Sequence, residues 1–190
     1  MNIEAVILAA GYSSRAGAFK MELDVHGKTV IERCIDGMSD ICSRIIVVGG
    51  YRIERLQEIL KNQPKVEIYE NLQYDNGMFT SVKEGMRHVR GDRFFFTPGD
   101  YPLINRDVCR KLLAVDGDIV IPVVNGRKGH PVLMRREMVA EVLREDDRSN
   151  LRDFIERKGF TRLEVDDEGI MTDIDTQEDY QWVLNKWHGH

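Results

Sequence analysis

The chain has 190 residues, 42% of them hydrophobic, enough for a sizeable core in one domain spanning residues 1–190. Its 27 Lys and Arg against 32 Asp and Glu give a net charge of −5, which excludes a non-specific nucleic-acid binder but not a small anionic substrate neutralised locally. Three scattered cysteines, no basic leader with an apolar run behind it, and no apolar stretch near the ~20 residues of a membrane span point to a cytoplasmic protein without disulfides, zinc or membrane.

Taken in order, Val6, Ile7 and Leu8 form a short apolar run closed by small residues and Gly11, the pattern of a buried parallel strand emptying into a loop. Thr29 and Glu32 have capping-box spacing, and Val30, Ile31, Cys34, Ile35 and Met38 fall on one helical face, which makes Cys34 a core thiol. Arg44 to Val48 reads as a second buried strand, closed by Gly49 and Gly50. A helix carrying Ile53, Leu56, Ile59 and Leu60 follows and stops before Pro64. Val66 to Glu70 reads as a shorter strand ending at Asn71, and Met78, Val82, Met86 and Val89 space another helix. Arg93 to Thr97 is apolar on both faces and therefore central in the sheet.

Asn105 caps a helix with Val108, Leu112 and Leu113. Ile119 to Val124 and His130 to Met134 flank Asn125-Gly126, a turn signal for two antiparallel strands. Helices around Val139 and Phe154, a strand from Thr161 to Val165, a turn near Gly169 and a helix after Thr176 complete the chain. Alternating strands and helices predict an α/β fold, a three-layer α/β/α sandwich with a mostly parallel sheet, Rossmann-like, with a small antiparallel insertion between Ile121 and Leu163. In such sheets ligands bind beyond the carboxyl ends of the strands, which gathers residues 9–20, 49–50, 71–81 and 98–102.

The first of these loops, Leu8-Ala-Ala-Gly11-Tyr-Ser-Ser-Arg15-Ala-Gly17-Ala-Phe-Lys20, is built for a polyphosphate. Gly11 and Gly17 permit close backbone approach, successive N–H groups form an anion-binding concavity, and Arg15 and Lys20 add positive charge. Met21 follows Lys20, so this is not the phosphate loop that ends in Lys-Ser/Thr. In Thr97-Pro-Gly-Asp100-Tyr-Pro102 a single carboxylate sits at the tip of a central strand, where magnesium could bridge it to substrate phosphates. Asp173 and Asp175 are two apart, so in extended backbone both face the same way and either or both could complete a metal site. The same segment also reads as a helix cap made by Thr176 and Asp179.

The pattern L-A-A-G-x-S-x-R-x-G-x-x-K resembles the signature loop of nucleotidyltransferases that activate small molecules with CTP or GTP. Within them it is most similar to the molybdenum cofactor cytidylyltransferases of the MobA-like NTP transferases, although Ala16 stands where those carry Met. The resemblance implies a CMP transfer from MgCTP to the terminal phosphate of molybdenum-bearing molybdopterin, with release of pyrophosphate. Arg15, Lys20 and Asp100 are then the catalytic residues, with Mg2+ on Asp100 and on Asp173 or Asp175. Leu8, Ala9, Ala10, Gly11, Ser14 and Gly17 hold the nucleotide phosphates, and Asn71, Gly77, Met78 and Ser81, in a segment similar to the family's Asn…Gly-Met…Ser, hold the nucleoside. Gly129-His130-Pro131-Val132 resembles the family's Gly-His-Pro-Val and assigns His130 to the molybdopterin side, beside Arg127 and Lys128.

Asp147 to Leu151 departs from the family's Gly-Ala-Arg-x-Leu-Leu, which leaves the acceptor open. A GTP donor, another phosphorylated acceptor, and a non-catalytic cofactor carrier or insertion chaperone of the same fold stay as alternatives. A glycosyltransferase fits less well, since the Arg15/Lys20 loop has no role on a diphosphate donor. The resemblance also leaves room for a transient contact with a molybdenum hydroxylase or its chaperone.

Overall fold

The computed structural model of the chain describes residues 1–11 and 19–186. Strand β1 (Ile3–Leu8) is buried along its whole length: Ala5 to Leu8 form its apolar run, and the charged Glu4 accepts hydrogen bonds from Arg44 and from the Arg90 N–H. A tight hairpin follows, β2 (Asp24–Val25) and β3 (Lys28–Thr29). Its turn residues His26 and Gly27 have φ of 51° and 83°, and the Gly27 N–H donates to the Asp24 side chain. Helix α1 (Val30–Ser39) starts with the expected capping box between Thr29 and Glu32. Next come β4 (Arg44–Gly49), α2 (Ile53–Leu60), β5 (Val66–Glu70), α3 (Met78–Arg87) and β6 (Arg93–Pro98). Helix α4 (Arg106–Leu113) is capped by the Asn105 side chain, which accepts from the Asp107 N–H. The chain continues through β7 (Ile119–Val124), β8 (Arg127–Lys128), β9 (Val132–Arg135), α5 (Glu137–Arg144), α6 (Leu151–Lys158), β10 (Thr161–Glu164) and α7 (Gln177–Lys186).

Among the described residues the main sheet has the order β10-β7-β9-β6-β1-β4-β5, with β8 attached to β7. β1 lies between β4 and β6, parallel to both, and β5 and β10 also pair in parallel. β9 runs antiparallel to β6 and β7. Because side chains alternate along a strand, Ala5 and Ile7 pack with α1, α2 and α4 on one face, and Val6 and Leu8 with α3, α5 and α6 on the other. The α/β/α sandwich is therefore as expected, and no helix among the described residues is long and apolar enough to cross a membrane. Helix α7 stays outside the two layers. Its Val183 joins Val25, Val30 and Ile174 in a small separate cluster over the β2–β3 hairpin.

One local expectation is corrected. The Asn125-Gly126 turn does not join β7 to the strand at 132–135; it joins β7 to the two-residue β8, pairing Val124 with Arg127. Pairing then stops, and the next strand begins at Val132, after Pro131, which lacks an amide proton. The small antiparallel insertion lies within the main sheet, where β9 sits between β6 and β7 and runs antiparallel to both. Cys34 lies fully buried, where desolvation drives its thiol pKa well up, as a core thiol should.

Candidate active site

The neighbouring strands β1 and β6 end side by side and present their loops to one cleft of about 340 Å³. The β6 loop is held against β1 by a hydrogen bond from the Gly99 N–H to the Leu8 carbonyl at 2.8 Å. A Cβ on Gly99 would lie 2.7 Å from Ile31 Cδ1 and 3.2 Å from the Leu8 oxygen, so the residue before Asp100 is glycine for close packing. Leu8, Ala9, Ala10 and Gly11 line the cleft from the β1 side, and Asp100 borders it from the β6 side. Lys20 opens a short 3-10 turn, Lys20–Glu22, whose neighbours Phe19 and Met21 are buried in the core. Its backbone is thereby fixed and its ammonium is delivered to the cleft edge. Arg15, Ser14 and Gly17 lie in the stretch 12–18, outside the described residues.

The third contribution comes from the C-terminal segment between β10 and α7. Its 3-10 turn, Glu168–Met171, is pinned from two sides. The His130 N–H donates to the Ile170 carbonyl at 2.7 Å, and Gly169 sits where a Cβ would lie 2.7 Å from the Leu103 oxygen. Three residues on, the Ile174 N–H donates to the Asp100 carbonyl at 3.1 Å. With Ile174 turned into the small cluster beneath α7, its neighbours Asp173 and Asp175 face Asp100. One carboxylate oxygen from each of the three acids lies within 4.8 Å of the others. Lys20 Nζ donates to Asp175 Oδ1 at 2.5 Å and to Asp100 Oδ2 at 3.1 Å.

The electrostatics follow from three acids meeting one described lysine at a part-buried point. Desolvation raises the pKa of Asp100 above its ordinary value, with Lys20 pulling the other way. Desolvation and then the charge of Asp100 raise that of Asp173. Lys20 is pushed up: desolvation opposes its charge, but hydrogen bonds and Coulomb attraction from Asp175 and Asp100 outweigh it. The cluster lacks positive charge. Oδ1 of Asp100 is buried and accepts no hydrogen bond among the described residues, a cost that a bound cation would relieve. Hard carboxylate oxygens of this number and spacing fit a divalent ion of the magnesium or manganese type. The same segment also works as the cap read from the sequence: Asp179 accepts from the N–H groups of Asp175 and Thr176, and its own N–H donates to the Thr176 hydroxyl.

The segment 71–81 borders the cleft through Met78 and Ser81. Asn71 is buried and its amide donates to Thr80 Oγ1 and Ser81 Oγ at 2.8 Å each, so these groups satisfy one another and brace the loop on α3. Ser81 still lines the cleft, as does Met78, which is 70% exposed and so forms pocket wall rather than core. Gly77 has φ of 107°, a backbone state costly for other residues, and the space beside it is open. Sequence reasoning missed Tyr74. Its ring packs on Gly50, where a Cβ would lie 2.8 Å from the ring, and it lines the cleft. The Gly49-Gly50 pair after β4 was the available signal.

A second groove of about 520 Å³ adjoins the first, sharing Met78 and Pro98 with it. Phe96, Ile121 and Val132 make it apolar, and Arg127, Lys128 and Arg152 bring positive charge. Lys128 is paired with Glu156 across the groove wall. His130 also lines this groove, packed against the Tyr101 ring at 4.6 Å between centroids. Desolvation lowers the pKa of His130, so the ring is neutral at neutral pH. Its Nδ1 lies 3.5 Å from the Phe96 carbonyl, a contact that needs the proton on Nδ1 and leaves Nε2 as an acceptor. That suits an N–H or O–H of a ligand. The irregular segment before α6 has a structural role: Asp147 accepts from the buried Lys83 ammonium at 2.5 Å and so ties the segment to α3.

Comparison with known proteins identifies the family. Residues 5–163 match the MobA-like NTP transferase domain. The molybdenum cofactor cytidylyltransferase of Escherichia coli (strain K12) is 34% identical over 94% of this chain and 93% of its own length. A probable molybdenum cofactor guanylyltransferase of Bacillus cereus (strain AH187) is 28% identical over 76% of this chain and 75% of its own. The crystal structure of Rv0371c from Mycobacterium tuberculosis H37Rv superposes with a TM-score of 0.85 at 22% identity, covering 98% of both chains, a likeness of fold.

Proposed function

From a chain that belongs to the MobA-like NTP transferase family and is a nucleotidyltransferase, we propose a single 1–190 unit that transfers CMP from MgCTP to the terminal phosphate of molybdopterin carrying molybdenum. The observation that carries this reading is the meeting of Lys20, Asp100 and Asp175 at the edge of one cleft, next to a cationic apolar groove. The first cleft suits the nucleotide, with its phosphates over Ala9, Ala10 and Gly11. The second suits a flat heterocyclic acceptor, stacked on apolar walls, with its phosphate drawn by Arg127 and Arg152. The two meet at Met78 and Pro98, which sets the reacting ends close together.

Asp100, with Asp173 and Asp175, would hold Mg2+, which supplies charge neutralisation at the α-phosphate and pyrophosphate. An acceptor phosphate oxygen attacks the α-phosphorus, the new P–O bond forms in line with the breaking bond to the β-phosphate oxygen, and pyrophosphate leaves. Lys20 stabilises charge as it builds on the departing triphosphate end, with Arg15 as its partner from the same loop. A phosphate acceptor is already ionised, so no protein nucleophile or general base is needed. His130 orients the acceptor through its neutral Nε2. The CTP preference rests on the Escherichia coli relative and on Ala9-Ala10-Gly11, and a GTP donor has the Bacillus cereus relative in its favour.

The test is pyrophosphate release from CTP and from GTP, with Mg2+, in the presence and absence of molybdenum-loaded molybdopterin. Release that needs CTP and the cofactor together is the expected result. Release with GTP alone would reassign the donor. Nucleotide binding without any release would favour a carrier or insertion chaperone of the same fold.

A further inference from the structure

We infer that Lys20 is a built-in competitor of the divalent cation, holding the carboxylates of Asp100 and Asp175 until a triphosphate draws it away. This rests on the nucleotidyltransferase reading above and adds an order to it: metal and nucleotide enter as a coupled pair. The geometry is specific. Lys20 Nζ lies 2.5 Å from Asp175 Oδ1 and 3.1 Å from Asp100 Oδ2, two acids of the triad suited to the ion. A magnesium ion sits about 2.0–2.1 Å from its oxygen ligands and tolerates little deviation. An ion on these oxygens and an ammonium on the same oxygens would be close neighbours of like charge in a part-buried site, where such repulsion is large.

The lysine must therefore move, and its surroundings determine how. Its backbone cannot follow, because Phe19 and Met21 on either side are 2% and 6% exposed and locked in the core. The flexible side chain can swing, and the cleft beside it is lined by Ala10 and Gly11, the place proposed for the triphosphate. A triphosphate there offers the ammonium a new partner and frees Asp100 and Asp175 for the ion. Each ligand then favours the other beyond any direct bond between them, and the coupling is reciprocal. A metal ion without nucleotide meets an occupied site and binds weakly.

The experiment uses the whole chain without nucleotide, titrated with Mn2+ alone and followed by the loss of the free-ion electron paramagnetic resonance signal. Lys20→Met and Lys20→Gln are expected to bind Mn2+ about tenfold more tightly than wild type, the order of effect for removing one like charge from a partly shielded site. Equal or weaker binding in both variants overturns the competition. Asp100→Asn separates this from the parent reading: if that change leaves Mn2+ affinity untouched, the carboxylate site itself is wrong. The wild-type protein gives a second readout independent of any variant. The Lys20 Nζ resonance should shift and its protons exchange faster on adding Mg2+ alone, and a signal unchanged at Mg2+ concentrations that saturate binding also overturns the proposal.

Discussion

The backbone N–H of Ile174 donates to the carbonyl of Asp100, a 3.1 Å bond between the end of the chain and the loop after a central strand. It puts Asp173 and Asp175 within reach of Asp100, while the Ile174 side chain, 0% exposed, is the peg that keeps them there.

Removing that peg should loosen the carboxylates without touching one. Ile174→Ala is expected to cost about 2–4 kcal/mol from lost burial and the cavity left behind, seen as a drop in Tm. The Mg2+ concentration giving half-maximal pyrophosphate release should also rise several-fold, with turnover at saturating Mg2+ close to wild type. A fall in Tm with unchanged Mg2+ dependence would show that Ile174 does not position the acids.

The carboxylates themselves should separate into two kinds. Asp100→Asn keeps the shape but removes a charge at the reacting end, so turnover should fall by roughly 10²–10³, the usual loss for one transition-state-stabilising group. Asp179 faces the N–H groups of Asp175 and Thr176 instead. Asp179→Asn should cost about 1 kcal/mol as a weakened cap and leave turnover at saturating Mg2+ nearly intact. Steady-state kinetics beside thermal melts distinguish the two; equal losses of turnover would mean the division is wrong.

Two glycines lining the second groove make a sharp contrast. A Cβ on Gly129 would lie 2.4 Å from the Ile170 oxygen, so Gly129→Ala must push away the turn that leads to Asp173, at about 1–3 kcal/mol. At Gly126 nothing lies within 4 Å and only the φ of 75° opposes a side chain, so Gly126→Ala should cost about 1–2 kcal/mol of local strain. Both should lose stability in denaturant titrations, but only Gly129→Ala should also lose turnover.

Glu4 gives a pH dependence away from the site. It is 2% exposed and accepts from Arg44 Nε at 3.0 Å and from the Arg90 N–H at 2.8 Å. Desolvation is the largest single influence and opposes its charge, but these donors together outweigh it and hold the carboxyl below its ordinary 4.5. A carboxyl lowered in the native state stabilises above its unfolded value, and that stability is lost as pH falls through 4.5 toward the native value. Glu4→Gln should be less stable than wild type near neutral pH, with the gap narrowing below 4.5. A gap independent of pH in urea titrations would rule this out.

The parts of this molecule legible in its sequence are those set by local periodicity. The buried strands at 3–8, 44–49 and 93–98 announce themselves by the short apolar runs at 5–8, 45–48 and 94–96, and the caps at Thr29 and Asn105 by spacing alone. The β2–β3 hairpin was not seen, because two-residue strands carry no period, and its His26-Gly27 turn is a weak form of the Asn-Gly signal. The hydrogen bond from Asn71 to Ser81 joins residues ten apart and follows from no local period. The pairing of Lys20 with Asp175 was beyond any local rule, since those residues are 155 positions apart.

That separation also dictates when the site can exist. β1 can pair with β6 once residue 98 has been made, but Lys20 meets Asp175 only after residue 175 has followed. Closing so long a loop is entropically slow and is rewarded last. The central strands can thus assemble on a growing chain well before Asp173 and Asp175 arrive to meet Asp100 and Lys20.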